Sequence, residues 1–238
     1  MKKIAIFGFV LLLGAALASA AEFTTSGLPA GQSSNSQMTL TPVDITQSTD
    51  LNVLSGYGVA CTDQINSTEN HFLRRFQLAV DHGILGQFDV LSADIGVETT
   101  TINSTGPCNA EARIYSIGHS AAFTFANMTL QGTGVFQLTN ADVLVVRNVP
   151  VSATIADPVN SDLVLDFWLP NGQVEPNLWL VFPGANNLPQ TRPSYLAAAD
   201  CGVNDPLDTA AIGFPDSHWV MVVHGDEVPV ELQSFDIE

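Results

Sequence analysis

The feature that most constrains this chain is the punctuation between its apolar runs. From Met38 onward the sequence breaks into short stretches bounded by Gly, Pro, Asn or Asp: MTLTPVDI, VLSGYGVAC, HFLRRFQLAV, FDVLSADIGVE, ARIYSI, AFTFANMTL, GVFQL, VPVSATI, DLVLDFWL, LWLVF and HWVMVVHG. Apolar and β-branched residues dominate them, and stretches of this length between frequent turn residues are strands that fold back on one another. The expectation is an all-β fold, a single jelly-roll-like β-sandwich of about ten short strands. Helical patterning is confined to LTNADVLVV, where Thr139 or Asn140 can cap a turn but the β-branched residues fit a strand equally well. Neither an internal repeat nor a linker divides this part, so one domain is expected over residues 38–238.

Ahead of the domain, MKKIAIFGFVLLLGAALASA has the order of a secretory signal peptide: two lysines, an apolar run, then Ala18-Ser19-Ala20 as a cleavage site. Residues 1–20 are read as that signal, and residues 21–37, AEFTTSGLPAGQSSNSQ, as a flexible lead-in without periodicity. The expected location is periplasmic or extracellular, with no membrane span in the mature chain. Removing the signal removes both lysines and leaves five arginines against 24 acids, 5 − 24 = −19. A charge of that sign repels nucleic acid and anionic membranes and excludes DNA or RNA as a partner. It suits a protein kept soluble in salty water or bathed in divalent cations. The lysine-led signal looks bacterial, so the Asn-x-Ser/Thr sequons at Asn66, Asn103 and Asn127 are discounted as glycan acceptors.

Side chains alternate faces along a strand, and two runs are informative on that basis. In FDVLSADIGVE, Leu91, Ala93, Ile95 and Val97 form an apolar face, with Ser92, Asp94, Gly96 and Glu98 opposite. In HFLRRFQL, Phe72, Arg74, Phe76 and Leu78 share one side, and His71, Leu73, Arg75 and Gln77 the other. Arg74 is therefore expected in the core, paired with Asp94 or Glu98 because an unmet guanidinium is costly there. Arg75 is expected in solvent, and a bulged strand that buries neither is the competing outcome.

Motifs that carry chemistry are sparse. There is no G-x-S-x-G, S-x-x-K or H-E-x-x-H, and the five histidines are dispersed. Asp216 and His218 in PDSHWV offer two members of a hydrolytic triad, but a triad is a matter of geometry and a strand-end histidine is the simpler reading. Calcium is the most reasonable cofactor, because DCGVNDPLD offers Asp200, Asn204, Asp205 and Asp208 as hard oxygen ligands, though not at EF-hand spacing. Trp168 alternates away from Leu163, Leu165 and Phe167, making it the best candidate for an exposed ligand-binding aromatic. Of the three cysteines, Cys61 and Cys201 are the favoured pair, since Cys108 lies in the turn-like TGPCN and the other two flank strand-like runs.

From about Gly56 to Gly225 the chain resembles a β-sandwich module of bacterial secreted proteins that occurs alone, repeated, or beside extracellular peptidase domains and sorting tails. The resemblance rests on NHFLRRFQL, FDVLSADIGVE, ARIYS, SDLVLDFWLPNG and SYLAAADCGVNDPLDTAAIGFPDSHWVMVVHG. It matches an aromatic-x-Arg-x-Phe-x-Leu strand to Phe72, Arg74, Phe76 and Leu78, and an early cysteine and late Cys-Gly to Cys61 and Cys201. It implies a jelly-roll-like sandwich without a catalytic constellation, with no ligand attached. The expected function is a secreted, non-catalytic module that binds an extracellular glycan, another ligand or a surface, or serves in adhesion. The alternative is an acidic, calcium-associated structural or matrix protein, and a hydrolase is least favoured.

Overall fold

The computed structural model describes residues 21–27, 31 and 44–228, and strands make up nearly all the regular structure within them. The signal-peptide segment and most of the lead-in lie outside the described residues. One six-stranded sheet contains β2 (Asp44–Thr46), β5 (Gln87–Ile102), β8 (Val145–Ile155), β10 (Gln173–Val174), β11 (Asn177–Pro183) and β16 (Met221–Val228). The other runs β14 (Val203–Asp208), β13 (Tyr195–Ala198), β4 (Asn70–Phe76), β9 (Ser161–Leu169), β6 (Cys108–Gly118), β7 (Met128–Leu138), every neighbouring pair antiparallel. Two small ladders complete the set: β1 (Glu22–Thr25) on β3 (Val59–Thr62), and β12 (Ala185–Asn186) on β15 (His218–Trp219).

The sheets enclose one core, and the alternation of apolar residues dictates its composition. Phe72 and Phe76 of β4, Leu163, Leu165 and Phe167 of β9, and Ala110, Ala112 and Ile114 of β6 face Phe88, Val90, Ala93, Ile95 and Val97 of β5 and Met221 and Val223 of β16. Each fully buried large side chain is worth roughly 1.5–3 kcal/mol. The sandwich closes at one edge because β7 carries glycine where β8 passes. A Cβ on Gly132 would overlap the Ser152 carbonyl oxygen, and one on Gly134 would overlap that of Pro150. No larger residue fits without moving a strand.

The described residues hold sixteen strands against the ten or so expected. The surplus consists of short ladders such as β1, β10 and β12, where backbone pairing needs no apolar pattern. Strand β1 corrects the flexible lead-in over 22–25: Ser26 donates to the buried Glu98 carboxylate, and β1 pairs residue for residue with β3. Two further corrections concern register. A β-bulge between Val90 and Ser92 turns Leu91 out to 57 % exposure and hands its core position to Val90. Strand β4 ends at Phe76, and Leu78–His82 forms one helical turn closed by Gly83 at φ 69°. The LTNADVLVV segment is a turn followed by β8, with Asp142 accepting from the Thr139 amide and hydroxyl.

Arg74 is fully buried among Phe72, Phe76 and Trp219, but among the described residues it has no ion pair. Its Nε and Nη2 donate to the Trp219 carbonyl oxygen at 3.2 and 2.5 Å, and its Nη1 donates to Gln190 Oε1 at 2.5 Å and the Arg192 carbonyl oxygen at 2.9 Å. The two carboxylates expected to meet it are committed elsewhere. Glu98 accepts from the amides of Gly56, Tyr57 and Gly58, and Asp94 accepts from Asn148 and contacts His224. Arg75 is the arginine that forms a salt bridge: its side chain is only 13 % exposed and its Nε donates to Asp162 Oδ2 at 2.7 Å. It is drawn out of solvent by the segment that folds over the sheet's outer face.

Candidate functional site

The outer face of the β4–β9–β6 sheet is not left to water. Leu73, Val164, Ile117 and Ala197 project there as a small second core, roofed by Ala121, Phe123 and Phe125 of the segment after β6. Arg75 fixes that roof. Its guanidinium donates to the carbonyl oxygens of Ala121, Gly118 and His119, and it lies 5.5 Å from the Phe123 ring centroid. Asp162, buried below, accepts from Arg75 and contacts His119 Nδ1 at 2.8 Å. The Phe125 amide donates to Asp205 Oδ1, which ties the roof to β14.

Beside this roof a cleft of about 400 Å³ opens over the small residues Ala197 and Ala198, lined by Glu69, His71, Phe125, Asn171, Asp200 and Asn204. Strand β4 supplies His71 by the same alternation that buries Phe72. Its Nδ1 lies 2.8 Å from Asp166 Oδ2, its Nε2 3.3 Å from Glu69 Oε1, and its ring 4.7 Å from that of Phe125. Burial opposes a charge on His71, but Asp166 and Glu69 outweigh it and raise its pKa. Burial also pushes the Asp166 carboxyl up, against the pull of His71 and Arg113, so the pair as a unit holds its proton more tightly than the free groups do. Among the described residues, Asp166 Oδ1 accepts no hydrogen bond, and neither does the buried Trp168 Nε1 donate one.

Trp168 is half-buried, and the Arg113 guanidinium lies 3.8 Å from its ring centroid while donating to Glu111 Oε2 at 2.6 Å. The ring is therefore stacked under an arginine rather than bare. The four oxygen ligands expected to hold calcium do not gather. They lie on a short 3-10 turn, Ala199–Cys201, and on β14, where alternation separates them. Asp200 and Asn204 reach the cleft, while Asp205 caps Phe125 and Asp208 accepts from the Ala210 amide. Among the described residues, no three His, Cys, Asp or Glu side chains are placed to hold a metal ion.

No protein-family model, curated protein or solved structure matches this chain. The site must be read from its own geometry. Cys61 and Cys201 are bonded, which anchors the turn carrying Asp200 to β3, and Cys108 is a free thiol buried at the start of β6. His218 lies against the carbonyl oxygens of Leu188 and Pro215, so Asp216 and His218 form no dyad. Sequence reasoning missed His71, Asp166, Arg113 and Phe125. Alternation in DLVLDFWL puts Asp162, Asp166 and Trp168 on one face, and that signal was present. No sequence signal brings Phe125 to the same place.

Proposed function

We propose that this protein is an exported, non-catalytic β-sandwich module that binds a polysaccharide, uncharged or amine-bearing, in the cleft between the Phe125 roof and the Asp200–Asn204 turn. One observation carries this reading: carboxylate, amide and imidazole groups of Glu69, His71, Asn171, Asp200 and Asn204 line a cleft beside the Phe125 ring. A sugar offers hydroxyls to planar polar groups and C–H faces to an aromatic ring, and small-molecule sites combine a few oriented polar groups with apolar walls in this way. The acidic lining and the mature charge of −19 (5 − 24) disfavour an anionic polymer.

Two features support a binding role over hydrolysis. His71 Nε2 faces Glu69 where a nucleophile would stand in a triad. A carboxyl that acts as an acid needs an enclosed, apolar setting, whereas the carboxyls lining the cleft, Glu69 and Asp200, are exposed, and the buried Asp166 is engaged by His71 and is not part of the lining. The lysine-led leader and the disulfide support export. A glycan array followed by titration calorimetry tests the reading. Asn171→Ala with Asp200→Ala is expected to weaken binding at least tenfold, about 1.4 kcal/mol. Unchanged affinity in that double variant, or binding only to anionic glycans, overturns it.

A further inference from the structure

Five residues form one straight row across the outer face of the β13–β4–β9–β6–β7 portion of the sheet. Ala197 is directly opposite His71, His71 opposite Trp168, Trp168 opposite Glu111, and Glu111 opposite Val135. The first two residues line the cleft, and the row leaves it at right angles to the strands. At about 4.8 Å per strand, its four steps span about 19 Å. Beyond the cleft the surface is the Arg113–Trp168 stack, then the Glu111 carboxylate, then Val135 at 63 % exposure.

We infer that this row is the continuation of the cleft, and that a single polysaccharide chain lies across the strands from the Phe125 roof to β7. The inference rests on the cleft being a glycan site. The chemistry of the row alternates as a sugar chain does. Imidazole and carboxylate are flat hydrogen-bonding groups, the Arg113 guanidinium stacked on Trp168 presents a flat face between them, and Val135 ends the row with apolar contact for C–H faces. Arg113 is neutralised by Glu111, so the row adds no net charge to an acidic cleft. An uncharged or amine-bearing chain meets no repulsion along it. A second copy of this protein brings a further −19 charges to the same place and is disfavoured as the occupant.

The probes are cello-oligosaccharides and glucosamine oligomers, each from dimer to hexamer, titrated by calorimetry against the full mature chain. The hexamer is expected to bind at least tenfold more tightly than the dimer. Val135→Asp is expected to erase that gain while the dimer affinity stays, and Asn171→Ala to weaken both lengths. Val135 is exposed, so its substitution tests the surface without touching the core. If dimer and hexamer bind equally, or the gain survives Val135→Asp, the crossing path is overturned and the cleft reading stands. If no oligomer of either series binds at any length, the cleft reading falls and the path with it. Self-association by sedimentation that Val135→Asp abolishes identifies a second copy as the occupant and overturns the path.

Discussion

Arg74 carries its charge into a core that offers no counter-ion among the described residues, and what meets it is a set of dipoles: two carbonyl oxygens and a glutamine oxygen. Hydrogen bonds from a charged donor contribute about 1.5–3 kcal/mol each, while burying the guanidinium costs several, so the net stabilisation is a small difference between large terms. Arg74→Met removes both sides of that balance and strands the Arg192 carbonyl oxygen. A loss of about 2 kcal/mol is expected. Arg74→Lys keeps the buried charge, but a single ammonium cannot reach acceptors on both sides as the planar fork does. It is expected to be the less stable of the two in urea unfolding at pH 7, and a lysine variant as stable as wild type contradicts the fork argument. The burial of Arg74 was legible from Phe72 and Phe76 flanking it at strand spacing. Its partners were not, because Trp219 lies 145 residues away and presents a backbone oxygen, which no side-chain pattern announces.

Strand β16 is held to both neighbours by one imidazole. His224 Nε2 lies 2.5 Å from Asp94 Oδ2 on β5, and Nδ1 lies 2.5 Å from Asp44 Oδ1 on β2. The contact with Asp94, opposed by burial and reinforced by Asp44, raises the His224 pKa to about 9. The ordinary value is 6.5. The folded state thus holds the proton more tightly than the unfolded chain. The resulting stability is complete below pH 6.5 and is lost as the pH climbs through 9. His71 contributes with the same sign. The urea midpoint is therefore expected to fall between pH 6 and pH 9.5, and His224→Ala to flatten that fall, leaving the smaller share of His71. A midpoint independent of pH in this range contradicts the clasp. Alternation alone predicts β5 well at Ala93, Ile95 and Val97 and fails at Leu91, since a bulge depends on the partner strand's register and not on the residue itself. Strand β1 escaped for a related reason: EFTT has little apolar pattern and is ordered by backbone pairing with β3.

The Cys61–Cys201 bridge joins positions 140 residues apart, so it acts on the molecule as a whole. Closing a loop of that length in the unfolded chain removes entropy worth about 5 kcal/mol, a third or more of the roughly 5–15 kcal/mol that holds a domain together. The bridge was legible because only three cysteines are present, although Cys108 sits in a strand and not in the turn that TGPCN suggests. Its burial matters all the same. Burial pushes the Cys108 thiol up to about 12, so it supplies almost no thiolate to attack the bridge at neutral pH. The native pairing is thereby protected from exchange without any special geometry. Cys201 ends the turn that carries Asp200, so the same bridge holds one wall of the cleft. Reduction with dithiothreitol is expected to lower the stability by about 5 kcal/mol in urea unfolding and, while the chain is still folded, to weaken the glycan binding proposed for the cleft. Cys61→Ser with Cys201→Ser is expected to reproduce both effects, whereas Cys108→Ala leaves cleft affinity unchanged. A reduced chain with the oxidised midpoint would mean that packing between the sheets, not the covalent tie, holds that wall in place.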